Sequence, residues 1–451
     1  MTANAASLSH AVVGDLDRHP KGLYVLFATE MWERFSFYSM LAMFTLYLQD
    51  PNEGFGWTAE RATGLYANYL MFVYASPLIG GWIADKKLGY RRAVMIGGLF
   101  FMAGHLLLSF RSLPVVYLAL TCLVVGNGFF KPNVSTMVGN LYPEGSHLKD
   151  RAYNIFYMGI NIGAFIAPIV AEFVRDKFGF HPAFAVAAGG MLISVLILAF
   201  FKRHIEGDER GSSPLRSGAQ TANVAAVTVD APPKGISKQD ALEAVPEGRR
   251  IFALCVIFFI VIIFWMCFHQ NGSTFTYFAN NNTDWSVSGI ISNAINPFWI
   301  ITLTFPLVWF WKWLDRKGME PSTPVKMALG MVLVAGAFYV LTAAGKAGGD
   351  TGRVSPLWIV GAYFVISLGE LLISPMGLAL VSKVAPRRVR GLMMGGWFVA
   401  TAIGNKLTMI GVYWDYWLHS NFFLLLGTMA LATAVVLFFL LKPLKKAMPG
   451  V

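Results

Sequence analysis

The chain has 451 residues, of which 56% are apolar and 14% are charged, whereas a typical soluble domain carries about 25% charged residues. This composition excludes an ordinary soluble globular protein and indicates a polytopic membrane protein, because apolar runs of roughly 20 residues cross a bilayer as helices. The net charge of +11 is therefore attributed to cytoplasmic loops that face anionic lipid, and no nucleic-acid partner is expected. The three cysteines lie within apolar runs, which leaves no disulfide framework and no metal-ligand spacing.

The apolar runs predict an all-α membrane protein with twelve transmembrane helices. In chain order the runs fall at 22–48, 60–85, 92–111, 114–140, 152–174, 181–202, 250–279, 286–313, 324–346, 355–383, 389–414 and 420–442. They divide six and six around residues 203–249, a Ser-, Thr-, Ala-, Pro- and charge-rich stretch that predicts a cytoplasmic linker. We therefore expect a cytoplasmic N-terminus at 1–21, six-helix bundles at 22–202 and 250–442, and a cytoplasmic tail at 443–451.

The basic residues indicate how these helices are oriented. Placing the N-terminus in the cytoplasm puts most of the 36 Lys and Arg residues into cytoplasmic loops, as the positive-inside rule requires, so both termini are predicted to be cytoplasmic. The first cytoplasmic loop contains Gly81, Asp85, Gly89, Arg91 and Arg92. This spacing resembles the G-x-x-x-D-x-x-x-G-x-R-R/K gating loop of the major facilitator superfamily, and a short basic loop with no gating role is the alternative.

A few charged residues fall deep inside the apolar runs. An ionised side chain at mid-membrane is costly unless it is paired or faces a water-filled cavity, so these residues are functional candidates. The deep set is Glu30, Glu33, Arg34, Lys131 and Glu370. Glu172 and Lys406 also lie within runs, but near helix ends, where a snorkelling or interfacial side chain is the favoured explanation.

The first helix carries an acid–base cluster on one face. Glu33 and Arg34 are the i+3 and i+4 neighbours of Glu30, and Tyr38 lies one turn beyond Arg34. Two adjacent carboxylates disfavour each other's ionisation while Arg34 opposes that effect, so the cluster is suited to hold or release a proton. A structural salt bridge is the alternative interpretation.

The segment Glu30-x-x-Glu33-Arg34-Phe35 resembles the E-x-x-E-R-F signature of the proton-dependent oligopeptide transporters, a branch of the major facilitator superfamily. Further segments resemble signatures of that family in chain order: Asn296-Pro297 and the stretches 128–133, 156–163, 369–375 and 391–397. The resemblance implies the major facilitator fold and a proton-coupled symporter that imports di- and tripeptides by alternating access. It also implies a multi-pass protein of the cell membrane, the inner membrane in a bacterium, surrounded by membrane lipid and functional as a monomer. Protons are the coupling ion, and neither a cofactor nor a metal nor catalytic residues are expected.

A transporter of many peptides must bind the groups that all peptides share. Arg34 and Lys131 offer positive charge to the carboxylate, and Glu370 in the opposite bundle offers negative charge to the amino group. Side chains predicted to hydrogen-bond to termini and amides, or to form an apolar wall, are Tyr38, Tyr74, Tyr157, Asn161, Asn296, Ser374 and Trp397. Tyr74 is chosen because Tyr74-Ala75-Ser76-Pro77 resembles the family's Y-x-x-P segment. Protonation of Glu30 or Glu33 would release Arg34, and Lys131 would exchange partners similarly, which couples the proton to the peptide.

The chain departs from the family pattern at several positions. The family's Y-Y-G-M-R continuation is Phe37-Tyr38-Ser39-Met40-Leu41 here, so an arginine assigned to the external gate is replaced by Leu41. The second-helix histidine of animal relatives corresponds to Ala67. For His269, near the predicted pocket wall, a hydrogen-bonded core histidine is favoured over a proton carrier. Residues 203–249 lack the apolar runs needed for the two extra helices of many bacterial members.

Other functions fit the sequence less well. Transport of another small anion or amino-acid-like solute is the nearest alternative, and Glu370 argues for a ligand with an amino group. An ATP-driven pump is disfavoured because there is no G-x-x-x-x-G-K-S/T segment. A receptor would not need a proton-competent carboxylate cluster, and no nucleophile–base pair or metal set indicates an enzyme.

Overall fold

The structure is a computed structural model that describes residues 18–142, 148–205, 242, 244–374, 380–381 and 384–449. Within these residues the regular secondary structure is helical and no strand is present, which confirms the prediction of an all-α fold. The helices of 18 residues or more are α1 (Lys21–Gln49), α2 (Ala59–Ile83), α3 (Tyr90–Leu107), α4 (Leu113–Asn140), α5 (Leu148–Phe178), α6 (Phe180–Phe200), α7 (Glu247–Phe268), α8 (Ile295–Arg316), α9 (Thr323–Ala347), α10 (Pro356–Ile373), α11 (Arg390–Leu407) and α12 (His419–Ala447). Most of the predicted linker and of the predicted N-terminal tail, part of the predicted run 355–383 and the last two residues of the predicted C-terminal tail lie outside the described residues.

Eight segments of the described chain are long and apolar enough to cross a membrane by length and composition. They correspond to α4 to α10 and α12, with α7 extended to Asn281 and α8 starting at Gly289. The first helix is 29 residues long but is not among them, because Glu30, Glu33 and Arg34 lower its hydropathy. The helix that carries the predicted proton site therefore falls short of this criterion, as α2, α3 and α11 also do.

Two hydrophobic cores form, one in each half of the chain. The first is built almost entirely from α1 to α6, with Phe44, Phe101 and Phe184 fully buried within it. The second is built almost entirely from α7 to α12 and includes Phe275 and Phe338. Because each half has its own core, polar side chains in the space between the halves do not disrupt either one.

Close helix contacts within the first half depend on glycine. A Cβ atom added to Gly80 of α2 would lie 2.0 Å from the carbonyl oxygen of Gly128 in α4, and one added to Gly163 of α5 would lie 2.3 Å from the carbonyl oxygen of Met31 in α1. Only a residue without a side chain allows backbones to approach this closely. These contacts hold α4 and α5 beside α1 and α2, so the predicted site residues of all four helices lie close together.

The predicted run 250–279 is interrupted in the structure. After α7 the chain forms a 3-10 turn at His269–Gly272 and then resumes as the short helix Thr274–Asn281. A Cβ atom at Gly272 would lie 2.0 Å from the hydroxyl oxygen of Tyr66 in α2, so the turn packs against the other half of the molecule. Irregular backbone at this depth occurs where it lines a cavity or is buried in protein.

The predicted gating loop begins as a π-helical turn, Ala84–Leu88. Gly89 ends it with a φ of +75°, a conformation that favours glycine, and its amide donates to the carbonyl of Ala84 at 2.9 Å. Asp85 and Arg92 are exposed, and Arg91 is half-buried. Gly81 lies just before the turn, where a Cβ atom would meet only the Pro132 ring, at 3.6 Å.

Candidate functional site

A cavity of about 370 Å³ lies between the two halves. Each of the residues predicted to bind peptide lines it: Arg34, Tyr38, Tyr74, Lys131, Tyr157, Asn161, Asn296, Glu370, Ser374 and Trp397. These residues come from seven different helices or their ends, whose inward faces converge only in the folded molecule. Of the predicted proton-coupling residues, Glu30, Arg34 and Lys131 line the cavity, whereas the fully buried Glu33 does not.

The acid–base cluster of α1 is formed as predicted. Arg34 donates through Nη2 to Oε1 of Glu33 at 2.5 Å and through Nε to Oε2 of the same carboxylate. The Nε atom also lies 3.4 Å from Oε1 of Glu30. The other oxygen of Glu30, Oε2, has no hydrogen-bond partner among the described residues. Glu33 is therefore the main partner of Arg34, and Glu30 keeps one oxygen free beside the cavity.

Lys131 is the second cation of the first half. Its Nζ atom lies 4.6 Å from the centre of the Tyr74 ring, and it forms no salt bridge within the described part of the chain. Arg34, in contrast, is already held by two carboxylates. Lys131 is thus the cation that remains available to an anionic ligand without breaking an existing pair.

The second half contributes a carboxylate. Glu370 of α10 accepts a hydrogen bond at Oε2 from Nδ2 of Asn296, and the same Asn296 nitrogen lies 2.9 Å from Oγ of Ser367. Ser374 lies one turn beyond Glu370, and its hydroxyl has no partner among the described residues. Asn161, on the opposite side of the cavity, donates to the carbonyl of Tyr157 at 2.9 Å. Its side chain is therefore held by its own helix and not by a bond between helices.

The wall of the cavity also includes residues that the sequence did not single out. Trp265, Asn271 and Asn293 line the cavity but were not predicted. Asn271 and Asn293 lie in the 3-10 segments His269–Gly272 and Gly289–Ala294. Helical periodicity gives no direction for a side chain in such irregular segments, which is why the sequence did not reveal them.

His269 is not the hydrogen-bonded core histidine that the sequence favoured. Its ring lies 5.2 Å from that of Trp265 and 5.5 Å from that of Tyr74. Neither ring nitrogen has a hydrogen-bond partner among the described residues, although the side chain is 5% exposed. The neighbouring Gln270 is the polar residue that is satisfied, because it bonds to Thr274 and Thr408.

The two halves are joined by hydrogen bonds at one end of the cavity, which we call the closed end. There Thr45 donates to the carbonyl of Gly272 at 3.1 Å, and the hydroxyls of Thr63 and Tyr277 lie 3.0 Å apart. At the same end Lys406 donates to Asn68. The end is therefore closed by polar contacts from α1 and α2 to the second half.

Glu172 of α5 adds a contact at the closed end. Its carboxylate accepts from the backbone amide of Ser288 at 2.8 Å and from the hydroxyl of Ser288 at 2.5 Å. Arg175 donates to the same carboxylate at 2.8 Å. Glu172 is only 7% exposed, so the prediction of an interfacial side chain is wrong. The sequence did not show that Glu172 and Lys406 face the other half, because both partners are distant in the chain.

Known proteins resemble this chain over most of its length. The sequence matches the profile of the POT family at residues 91–241 and 234–413. It is 31% identical over 430 residues to dipeptide and tripeptide permease A of Escherichia coli (strain K12), covering 88% of this chain and 84% of the relative. The chain belongs to the POT family. This family membership confirms the resemblance read from the motifs and makes the protein a multi-pass membrane transporter and not an enzyme.

Other POT family relatives match with similar coverage. The chain is 30% identical to the di-/tripeptide transporter of Lactococcus lactis subsp. lactis (strain IL1403), covering 96% of this chain and 97% of the relative. A crystal structure of the peptide transporter POT in complex with sulfate superposes with a TM-score of 0.83 at 28% identity, covering 96% of each chain. A variant of a peptide transporter POT in complex with alafosfalin gives a TM-score of 0.82 at 29% identity, again covering 96% of each chain.

Proposed function

We propose that this POT family protein is a proton-coupled symporter that imports di- and tripeptides by alternating access. The observation that carries the proposal is a single cavity lined by Arg34 and Lys131 from one half and by Glu370 from the other. A peptide is a zwitterion, so opposite charges in the two halves match its two ends. The relatives named as dipeptide and tripeptide permeases support this substrate class.

Each end of the peptide has its own partners in this proposal. The carboxylate binds Lys131, and Arg34 once that guanidinium is released, while Glu370 binds the amino group. Asn296 orients Glu370 through its 2.9 Å hydrogen bond. The backbone amides and side chains of the peptide contact Tyr38, Tyr74, Tyr157, Asn161, Ser374 and Trp397. Because the contacts to the two termini and to the backbone amides involve groups that every peptide shares, the site accepts varied side chains.

Proton coupling follows from the bonds that Arg34 makes. Glu33 holds the guanidinium through two hydrogen bonds, and neutralising that carboxylate removes the charge that holds it there. Glu30 has a free oxygen and lines the cavity, so a proton arriving through the cavity reaches it first. Proton and peptide then favour the same state of Arg34, which is the condition for coupled transport.

The proposed architecture has twelve membrane-spanning helices in two bundles, 22–202 and 250–442, with 203–249 as a cytoplasmic linker. The separate hydrophobic cores of the two halves support this division. The tails 1–21 and 443–451 lie in the cytoplasm, and the protein works as a monomer in the lipid of the cell membrane. This orientation places the closed end outside, with the loop from Gly81 to Arg92 as the cytoplasmic gate.

Leu41 stands where the family pattern has the arginine of the external gate. In this proposal the contacts of the closed end take over the role of that arginine. We expect Glu172→Ala and Lys406→Met to shift the protein toward the outward-open state, because each change removes charge-assisted hydrogen bonds between the halves. Such a bond contributes roughly 1.5–3 kcal/mol, or about a tenfold change in population or more. The measurement is the labelling rate of a cysteine at Leu41, in a background without native cysteines, by an impermeant thiol reagent added outside.

Glu320→Gln is the matched control for the labelling experiment, since Glu320 pairs with Lys326 within the second half at 2.5 Å. Its labelling rate should equal that of the parent. Unchanged labelling in both Glu172→Ala and Lys406→Met would show that these contacts do not keep the external side closed.

The proposed function is tested by uptake into proteoliposomes. We expect Ala-Ala and Ala-Ala-Ala to accumulate when an inward proton gradient is imposed, and free alanine not to accumulate. A protonophore should abolish the accumulation because it removes the driving force. Accumulation of free amino acids or of a small anion in preference to peptides would favour the alternative substrate class, and uptake that ignores the gradient would exclude proton coupling.

A further inference from the structure

A histidine with no role in the mechanism above lines the same cavity. His269 begins the 3-10 turn after α7, and its ring stacks on that of Trp265 with an interplanar angle of 23°. The ring also lies against Tyr74, at 5.5 Å between centres. The imidazole is therefore held between two aromatic rings at the cavity wall, while neither nitrogen has a hydrogen-bond partner among the described residues.

An unpartnered buried imidazole is not by itself a binding site, and His105 shows why. His105 of α3 is also buried, also lacks a partner among the described residues, and stacks on Phe101 at 6.0 Å. His105 does not line the cavity, however, so no ligand there could use its nitrogens. The position of His269 on the cavity wall is what distinguishes the two residues.

The neighbours of His269 are hydrogen-bond donors. The indole nitrogen of Trp265, one turn earlier, also has no partner in the described part of the chain. Lys131 Nζ lies 4.6 Å from the centre of the Tyr74 ring that His269 contacts, and Lys131 and His269 are close enough to interact electrostatically. A neutral imidazole always has one N–H group to donate. Three residues that carry donors thus lie near one another on the cavity wall.

The carboxylates of the cavity have partners elsewhere. Glu30 lies 3.4 Å from Arg34, and Glu370 accepts from Asn296 at 2.9 Å. The corner formed by Lys131, Trp265 and His269 therefore has positive charge and donors to which no carboxylate of the described residues bonds, although Glu30 and Glu33 interact electrostatically with Lys131. This is the arrangement that binds a carboxylate, which accepts several hydrogen bonds at once.

We infer that Trp265 and His269, together with Lys131, form a subsite for a substrate carboxylate, and that His269 contacts the substrate directly. The inference rests on the proposed function and adds a contact from the second half to the carboxylate end of the peptide. Lys131 belongs to α4 and His269 follows α7, so one bound carboxylate joins the two halves. Substrate binding then favours states in which the halves are close around the cavity.

The test measures how well unlabelled ligands compete with labelled Ala-Ala for uptake into proteoliposomes. The ligands are Ala-Ala, Ala-Ala amide, which has no carboxylate, and Ala-Glu amide, whose only carboxylate is in the side chain. In His269→Phe we expect Ala-Ala to compete about tenfold less well, the loss expected for one charge-assisted hydrogen bond, while Ala-Ala amide is unaffected. His269→Gln, which keeps a donor near the position of Nε2, should restore most of the competition by Ala-Ala.

His105→Phe is the matched control, because it replaces a buried and unpartnered histidine away from the cavity, and its competition profile should equal that of the parent. The two carboxylate ligands identify the source of the group that binds. A selective loss for Ala-Ala supports a subsite for the C-terminal carboxylate, and a selective loss for Ala-Glu amide supports the same subsite filled by an acidic side chain.

Two results would overturn the inference while leaving the proposed function intact. The first is unchanged competition by both carboxylate ligands in His269→Phe. The second is an equal loss for Ala-Ala and Ala-Ala amide, which would show that His269 only supports the cavity wall. Absence of any peptide uptake by the parent protein would instead overturn the proposed function, and the inference with it, so the two failures are distinguishable.

Discussion

Glu33→Gln is expected to abolish proton-driven peptide uptake while leaving the exchange of peptide across the membrane intact. Glu33 is fully buried and holds Arg34 through two hydrogen bonds. The glutamine is neutral at every pH, so the variant resembles the permanently protonated state and no longer responds to the gradient. The measurement compares accumulation of labelled Ala-Ala under an inward proton gradient with counterflow in vesicles preloaded with unlabelled Ala-Ala.

Two further variants sharpen this comparison. Glu30→Gln should give the same phenotype, and the double variant should be no more defective than either single one, because the two carboxylates interact with one guanidinium. Glu320→Gln, at a salt bridge outside the cavity, should retain both activities. Full gradient-driven accumulation by Glu33→Gln would remove Glu33 from the coupling mechanism.

Glu370→Gln is expected to weaken the binding of peptides that have a free amino group by about a hundredfold. The change removes the one carboxylate that the described residues of the second half place on the cavity and leaves the substrate ammonium without an anion, a loss of roughly 2–5 kcal/mol for a buried charge pair. An N-acetylated peptide has no ammonium group, so its weaker binding should not change. The measurement is competition by Ala-Ala and by N-acetyl-Ala-Ala against labelled peptide.

A suitable control for this experiment is Glu247→Gln. Glu247 also belongs to the second half, but it lies at the start of α7, where it pairs with Arg388 at 3.3 Å. We expect this variant to bind both ligands as the parent does. If Glu370→Gln weakened the two ligands equally, the role of Glu370 would be to maintain the cavity and not to bind the amino group.

Helical periodicity was sufficient to predict the residues on regular helices. Glu30, Arg34 and Tyr38 were placed on one face of α1 from their spacing, and all three line the cavity. Glu33 was placed there too, but the structure buries it outside the cavity wall as the partner of Arg34. Residues i+3 and i+4 lie about 100° apart around the helix axis. The sequence does not show how far around the helix the cavity extends, so it could not separate Glu33 from Arg34.

Periodicity gave less information where the backbone is irregular. The break after α7 places His269 and Asn271 on the cavity wall, and the 3-10 segment before α8 does the same for Asn293. The periodicity of a helix does not continue through such turns, so it does not predict which way their side chains point. The interpretation of His269 failed for a related reason, since a hydrogen-bond partner is a property of the folded surroundings and not of the residue.

By itself the sequence determined the class of protein, because the length of apolar runs and the cost of charge in hydrocarbon constrain every membrane helix. It also determined which charges need a functional explanation and, through its motifs, the transporter family. Only the tertiary structure decided which partner each charge has. Glu172 bonds to Ser288 and Lys406 to Asn68 across more than a hundred residues of chain, and Lys131 has no acidic partner within the described residues. Such pairings depend on how two independently packed halves meet, and no local pattern in the chain encodes that geometry.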